Sequence, residues 1–338
     1  MEKIKTIEFK DDILYLIDQR KLPLSYEIFQ CKSYKDVDFA IKDMVVRGAP
    51  AIGVVGAYGV VLAAKEFLNC PKEEFLSNMD EALDLLNRSR PTAVNLMWAI
   101  RRMRGIIEHN KELSPADLYR KLKEEADAML KEDIDTNKKM GKIGNEVVGE
   151  KATILTHCNT GALATAGFGT ALGVIREAFY SGKDIFVYAD ETRPRLQGAR
   201  LTAWELVQEG IPCKLIADSV AATLIRDKKI DLILVGADRI ALNGDTANKI
   251  GTFMLSVLAK VYGVPCYVVA PTSTIDFDIE AGDEIIIEER DSSEVTHIEG
   301  IRIAPEGVDV YNPAFDVTPH TNVTGIITEK GIIRPPFR

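Results

Sequence analysis

Histidine is scarce in this chain and its cysteines follow no spacing, and what is missing narrows the chemistry. The five cysteines, Cys31, Cys70, Cys158, Cys213 and Cys266, are odd in number and scattered, with no C-x-x-C. Neither a disulfide framework nor a zinc ribbon is indicated, and a reducing cytosol is the expected setting. The four histidines, at 109, 157, 297 and 320, form no H-E-x-x-H, and neither a P-loop nor an EF-hand loop is present; no metal site is expected. Positive charge is also in short supply: 42 Lys and Arg against 51 Asp and Glu leave a formal charge of −9, which argues against a nucleic-acid partner. A single small anion stays compatible with local convergence of basic groups. The start, MEKIKTIEFKDD, lacks a basic stretch followed by an apolar run, and the longest apolar segments contain glycine and stay short of a membrane span. No leader and no membrane partner are expected, and the cytoplasm is the expected location. What the chain does have is 46% apolar residues over 338 positions, enough for one large core or two ordinary ones.

Two textures divide it. TIEFKD and DILYLID, split by Asp11 and Asp12, predict a hairpin at the outset. From there to residue 148 the pattern reads as helix. Pro50 to Glu66 is apolar on nearly all sides, with Gly53, Gly56 and Gly59 at three-residue steps, which suits a buried helix packed closely on its neighbours. Ser114-Pro115-Ala116-Asp117 starts a long helix to about 148, with Gly141 as a candidate break. After Gly149, short β-branched runs alternate with helical stretches: 152–157, 184–190, 213–217, 231–238 and 265–270. That alternation predicts a mainly parallel sheet with crossover helices. The expected domains are therefore 1–148, mostly helical with a small β element, and 149–338, α/β.

Ligands of an open parallel sheet bind at the carboxyl ends of its strands, so the residues just after each run carry the functional candidates. Cys158 lies in a strand-to-helix turn, where backbone N–H groups stabilise a thiolate or an anion; a buried core cysteine is the structural alternative. His157 points to the other face of the strand and reads as a hydrogen-bonding residue. Asp238 ends the apolar run LILVGAD, where desolvation raises a carboxyl pKa and keeps a proton available; a turn cap is the alternative. Asn248-Lys249 is expected to open the following helix and offer it an amide and a cation.

The helical half adds Arg47-Gly48-Ala49-Pro50 ahead of the buried helix, and Arg90-Pro91 ahead of another that contains Trp98. An arginine before a helix N-terminus suits a phosphate, although either alone would equally be a surface residue. Gly167, Gly169 and Gly173 imitate a dinucleotide fingerprint, but their G-x-G-x-x-x-G spacing is expected to fall inside a helix and to serve close packing, with nicotinamide binding as the weaker reading.

Taken together, RGAPAIG (47–53), SRPTAVNL (89–96), LTHCNTGALAT (155–165), ETRPRLQGARLTAWEL (191–206), GADRIALNGDTANKIGT (236–252) and IAPEGVDVYNPAFDVTP (303–319) resemble the methylthioribose-1-phosphate isomerases of methionine salvage. These share a superfamily with the regulatory subunits of translation initiation factor 2B. The resemblance implies a mostly helical N-terminal domain followed by a Rossmann-like domain that dimerises. It implies an aldose-to-ketose isomerase of a sugar 1-phosphate that needs no cofactor. Asp238 would be the proton donor and Cys158 the base or transition-state stabiliser, with Arg47, Gly48, Ala49, Arg90, Gln197, Asn248 and Lys249 on the substrate. Related substrates, 5-deoxyribose 1-phosphate and ribose 1,5-bisphosphate, and a non-catalytic sugar-phosphate-sensing subunit are the competing expectations. One departure from the family pattern, His320-Thr321-Asn322-Val323, comes directly after Pro319.

Overall fold

The structure, a computed structural model, describes residues 4–90 and 94–337. Pro91, expected to lead a helix, lies outside the described residues. The chain forms two compact units, one of Met1–Thr136 with Ala162–Gly169, the other of Asn137–Gly161 with Thr170–Arg338.

In the first unit, β1 (Ile7–Lys10) and β2 (Ile13–Ile17) pair antiparallel. Asp11 and Asp12 between them are both left-handed, with φ of 51° and 56°, which matches the twist of a two-residue hairpin turn. A third strand, β3 (Ile28–Cys31), pairs with β2, so the stretch after the hairpin is not helical throughout. Its two half-buried or buried residues, Phe29 and Cys31, alternate with exposed Ile28 and Gln30, too short a pattern to stand out. Five helices follow: α1 (Tyr34–Lys42), α2 (Ala49–Glu66), α3 (Lys72–Asn87), α4 (Val94–Glu108) and α5 (Pro115–Asn145).

Helix α2 is the centre of this unit's core. A Cβ added at Gly53 would lie 3.0 Å from the Asn95 carbonyl oxygen, one at Gly56 2.5 Å from Leu96, and one at Gly59 2.8 Å from Val37. The glycines thus let α2 approach α1 and α4, and burial offsets their poor helix propensity. Because Gly53 meets Asn95 while Gly56 meets Leu96 and Ile100, α2 and α4 run in the same direction and begin at the same end of the unit. Contrary to expectation, α2 is long and apolar enough to cross a membrane, the one such helix among the described residues, but most of it is buried inside the unit. Packing therefore accounts for its composition.

Gly48 caps α2 with φ of 100°, and a Cβ there would sit 2.3 Å from the carbonyl oxygen of Ala164. Gly48→Ala combines a left-handed backbone with a backbone collision. It is expected to lower stability by about 3 kcal/mol or more, read from the denaturant midpoint; an unchanged midpoint would refute this account of Gly48.

The change of texture near 148 and the division of the units do not coincide. Helix α5 runs unbroken through Gly141 to Asn145, yet its last turns belong to the second unit. There Met140 joins that unit's core, and Gly144 lies against Val174. Conversely, residues 162–169 return to the first unit, where Gln19 Nε2 donates to the Leu163 carbonyl at 2.7 Å and Ala166 N–H to Asp133 at 2.7 Å. Gly167 and Gly169 lie in this returning loop, not inside a helix, and only Gly173 is helical.

The second unit is built on strands β4 (Lys151–Thr156), β5 (Asp184–Asp190), β6 (Cys213–Ile216) and β7 (Leu232–Val235), with helices α6 (Ala171–Tyr180), α7 (Ala203–Glu209) and α8 (Val220–Arg226) in the three gaps. A short hairpin pairs β8 (Arg239–Ile240) with β9 (Thr246–Lys249); then come α9 (Thr252–Tyr262) and β10 (Cys266–Val269). The pair β11 (His297–Ile298) and β12 (Ile301–Arg302) forms a short antiparallel ribbon. Strand β13 (Phe315–Thr318) joins β9, and β14 (Gly325–Thr328) and β15 (Gly331–Ile333) complete the large sheet.

That sheet has the order β15-β14-β10-β7-β4-β5-β6, parallel throughout except for edge strand β15. Counted along the chain, the parallel strands run 3-2-1-4-5-6, the doubly wound dinucleotide-fold order, with the switch between its first and fourth strands, β4 and β7. Apolar cores lie on its two faces, one including Ile154, Val187 and Leu234, the other Leu155, Ile233 and Val268. Strands covered on both faces read as continuous apolar runs.

Candidate active site

Chain direction leaves a crevice where crossovers diverge to opposite sides of the sheet, at the ends of β4 and β7. The two strands are tied there, since Thr156 Oγ1 donates to the Leu234 carbonyl at 2.9 Å. Cys158 follows β4 and Asp238 follows β7, so the two lead candidates leave adjacent strands at the same edge. Gly236, between β7 and Asp238, has its Cα against Thr160 of the other turn; a Cβ would come within 2.9 Å of that side chain.

Cys158 is half-buried and left-handed, with φ of 62°, an uncommon conformation for a residue other than glycine. Its N–H donates to Thr192 Oγ1 at 2.8 Å, and its carbonyl accepts from Thr202 Oγ1 at 2.6 Å. The next residue, Asn159, donates to Glu205 at 2.8 Å. Glu205 and Glu209 grip the buried Arg176, each at 2.6 Å. Burial opposes the guanidinium charge, but the two carboxylates outweigh it and raise its pKa. A buried ion cluster of this kind tolerates no loss of one partner, so it makes a rigid backing for the turn.

His157, just past the end of β4, is buried. Its Nδ1 bonds Asp190 at 2.9 Å and its Nε2 bonds the Ile250 carbonyl at 2.8 Å. Burial alone would suppress charge on the imidazole, but Asp190 outweighs it and raises the His157 pKa; a carbonyl only accepts, so Nε2 is a donor. His157 thereby fastens the Cys158 turn to the end of the β8–β9 hairpin. His157, Asp190 and Asp218 each bring a ligand-type atom within 4.8 Å of the others. Both Asp218 oxygens already accept backbone N–H groups, from Thr192 at 2.7 Å and Arg193 at 2.8 Å, so hydrogen bonds account for this cluster.

Asp238 is half-buried, and its N–H donates to the Ala247 carbonyl at 2.9 Å, which sets it beside β9. Asn248 and Lys249 do not open a helix. Gly244, with φ of 88°, turns the chain back within Asn243-Gly244-Asp245, and the two residues become the buried end of β9. The N-terminus of α9 is already occupied by the Asp316 carboxylate, which accepts from Gly251 N–H at 2.7 Å and Phe253 N–H at 3.0 Å. An internal anion there replaces the external one that the motif suggested. Lys249 Nζ donates to the Ala314 carbonyl at 2.8 Å and stands 4.1 Å from the centre of the Phe315 ring, while Asn248 donates to Thr252 Oγ1 at 3.0 Å. Gln197 is buried, and its Oε1 accepts no hydrogen bond among the described residues. It precedes a π-helical turn, Gly198–Thr202, whose first residue lies so close to the Asp190 carbonyl that a Cβ would fall 1.6 Å from its oxygen. Such turns recur at functional sites.

In the first unit, Arg47, Gly48 and Ala49 are half-buried at the start of α2, and Arg90 is half-buried ahead of α4. Since α2 and α4 begin at one end, the two arginines share that end of their unit.

A doubly wound α/β unit with polar side chains gathered at its switch point defines the class of ligand-handling α/β proteins. More narrowly, the model of the initiation factor 2 subunit family matches residues 45–335, and the chain belongs to that family. It is 78% identical over 338 residues to the methylthioribose-1-phosphate isomerase of Caldanaerobacter subterraneus subsp. tengcongensis, covering 100% of this chain and 98% of that one. The crystal structure of 5-methylthioribose 1-phosphate isomerase from Pyrococcus horikoshii OT3 is similar with a TM-score of 0.94 and 47% identity, over 99% of this chain and 94% of that one. A structure described as the delta subunit of translation initiation factor eIF-2B from A. fulgidus gives 0.90 and 43%, over 99% and 97%.

Proposed function

We propose that this chain is an aldose–ketose isomerase that converts 5-methylthioribose 1-phosphate to 5-methylthioribulose 1-phosphate in methionine salvage, without a cofactor, as a cytoplasmic homodimer. The observation that supports the reading is that Cys158 and Asp238 follow the two adjacent strands, β4 and β7, that flank the switch point. Full-length similarity to isomerases of that substrate supports it.

Phosphate on the anomeric oxygen prevents the sugar from opening to a free aldehyde, so the furanose must be opened by acid catalysis. Asp238 gives its proton to the ring oxygen as the C1–O bond breaks, leaving an oxocarbenium-like C1. In one route, Cys158 as thiolate removes the C2 proton to form an enol phosphate and returns a proton to C1. In the other, the C2 hydrogen moves to C1 as hydride beside the thiol. In both, the C2 hydroxyl proton passes to the Asp238 carboxylate as the ketone forms, which restores the acid. Arg47 and Arg90, with the backbone at Gly48 and Ala49, hold the phosphate; Gln197, Asn248 and Lys249 orient the sugar.

A sensing subunit without catalysis is the rival suggested by the likeness to the initiation-factor structure. Its discriminating feature is chemical: a sensor needs neither the thiol nor the acid. A turnover panel of 5-methylthioribose 1-phosphate, 5-deoxyribose 1-phosphate and ribose 1,5-bisphosphate, with products identified by NMR, tests the proposal. The methylthio sugar is expected to give the highest kcat/KM. Turnover of none would establish the sensor, and a preference for the bisphosphate would move the substrate assignment.

A further inference from the structure

Three residues other than glycine adopt left-handed backbone around one point of the second unit: Cys158 at φ 62°, Thr192 at 64° and Leu196 at 58°. For Thr192 this is costly, since a β-branched side chain crowds its own backbone there. Backbone strain of this kind persists only where surrounding contacts over-determine it, and those contacts are visible. Thr192 N–H is held by Asp218 at 2.7 Å, and Thr192 Oγ1 donates to the Asp190 carbonyl at 3.1 Å while accepting the Cys158 N–H at 2.8 Å. On the other side, Thr202 Oγ1 donates to the Cys158 carbonyl at 2.6 Å and accepts from Asn159 Nδ2 at 3.2 Å. Both threonines are fully buried, at 0% exposure, so each hydroxyl has no water to fall back on. They belong to the loop after β5 and the π-helical turn that follows it, and that turn is what brings Thr202 to the far side of Cys158.

We propose that Thr192 and Thr202 are positioning residues that clamp the Cys158 peptide on both sides and hold its thiol in the reactive direction. The inference rests on the proposed role of Cys158 and names the device that aims it. A hydroxyl and a methyl of equal size separate the effect from packing, because Thr→Val keeps shape and removes the hydrogen bonds, whereas Thr→Ser keeps the hydroxyl.

The test is steady-state kinetics of the full chain on 5-methylthioribose 1-phosphate for Thr192→Val, Thr202→Val, the two serine variants and Cys158→Ser. Each valine variant is expected to lower kcat about 10-fold or more, the effect of losing one buried hydrogen bond on an aligned group, with KM within about twofold. The serine variants are expected to recover kcat to within about threefold of the parent, since they retain the hydrogen bonds. Valine variants with parental kcat, where Cys158→Ser is inactive, overturn the clamp but leave the thiol's role intact. Should the valine chains fail to fold, the serine variants decide: a kcat loss there, with unchanged thermal midpoint, shows that the methyl groups act and refutes the hydroxyl clamp. Parental turnover in Cys158→Ser removes the thiol's role and the clamp's purpose together.

Discussion

Asp238→Asn is expected to reduce kcat by about a thousandfold or more while leaving substrate affinity within about twofold. The substitution keeps size and hydrogen-bonding shape, and the backbone bond from residue 238 to the Ala247 carbonyl does not involve the side chain, so the β8–β9 hairpin should stay in place. What an amide lacks is a proton that it can release to a ring oxygen. Ring opening is the step that a sugar 1-phosphate cannot perform unaided, and that is why the effect should fall on kcat. On the proposed reading, affinity resides in phosphate contacts made by other residues. Stopped-time turnover and calorimetric titration with the substrate measure the two quantities separately. Activity within about tenfold of the parent would remove Asp238 from the acid role. A parallel loss of affinity would make it a binding residue instead.

How far the sequence discloses such a site depends on the distance over which its contacts act. The runs that became β4, β5, β6, β7 and β10 are legible because strands of a parallel sheet are covered on both faces, and their polar ends follow directly. The expectations at Cys158 and Asp238 arise that way, by position at an edge. Asn248 and Lys249 read as the start of a helix but form the end of a strand, β9. A four-residue strand inside a hairpin has no period long enough to distinguish it from a helix start, and the competing anion, Asp316, lies 65 positions from the N–H of Gly251 that it caps. Equally hidden was the return of residues 162–169 to the first unit, which depends on Gln19 and Asp133. Thr192 and Thr202 carry no pattern at all, because a hydroxyl that bonds a backbone 34 or 44 residues away looks like any loop or helix threonine. The local signal that did exist was the run from Asp190 to Gly198, denser in charge and proline than a strand-to-helix connection needs.

Cys158→Ser carries the second large effect, and its size depends on which route the hydrogen takes. If the thiolate removes the C2 proton, replacing it by a hydroxyl, a far weaker acid and poorer base, should cost about a hundred- to a thousandfold in kcat. Protons from solvent should then appear at C1. If the hydrogen moves as hydride, the thiol only shapes and polarises the crevice, and serine, smaller but similar in form, should cost about tenfold. Substrate deuterated at C2 resolves this in the parent chain: retention of the label at C1 in deuterium-free water marks the hydride route, and its loss marks the enol phosphate. The two measurements must agree. A retained label with a thousandfold loss in Cys158→Ser would mean that the sulfur stabilises the cationic C1 directly, which requires the thiol to face the Asp238 side of the switch point. The left-handed turn at Cys158, held between Thr192 and Thr202, is the feature through which the chain would set that direction.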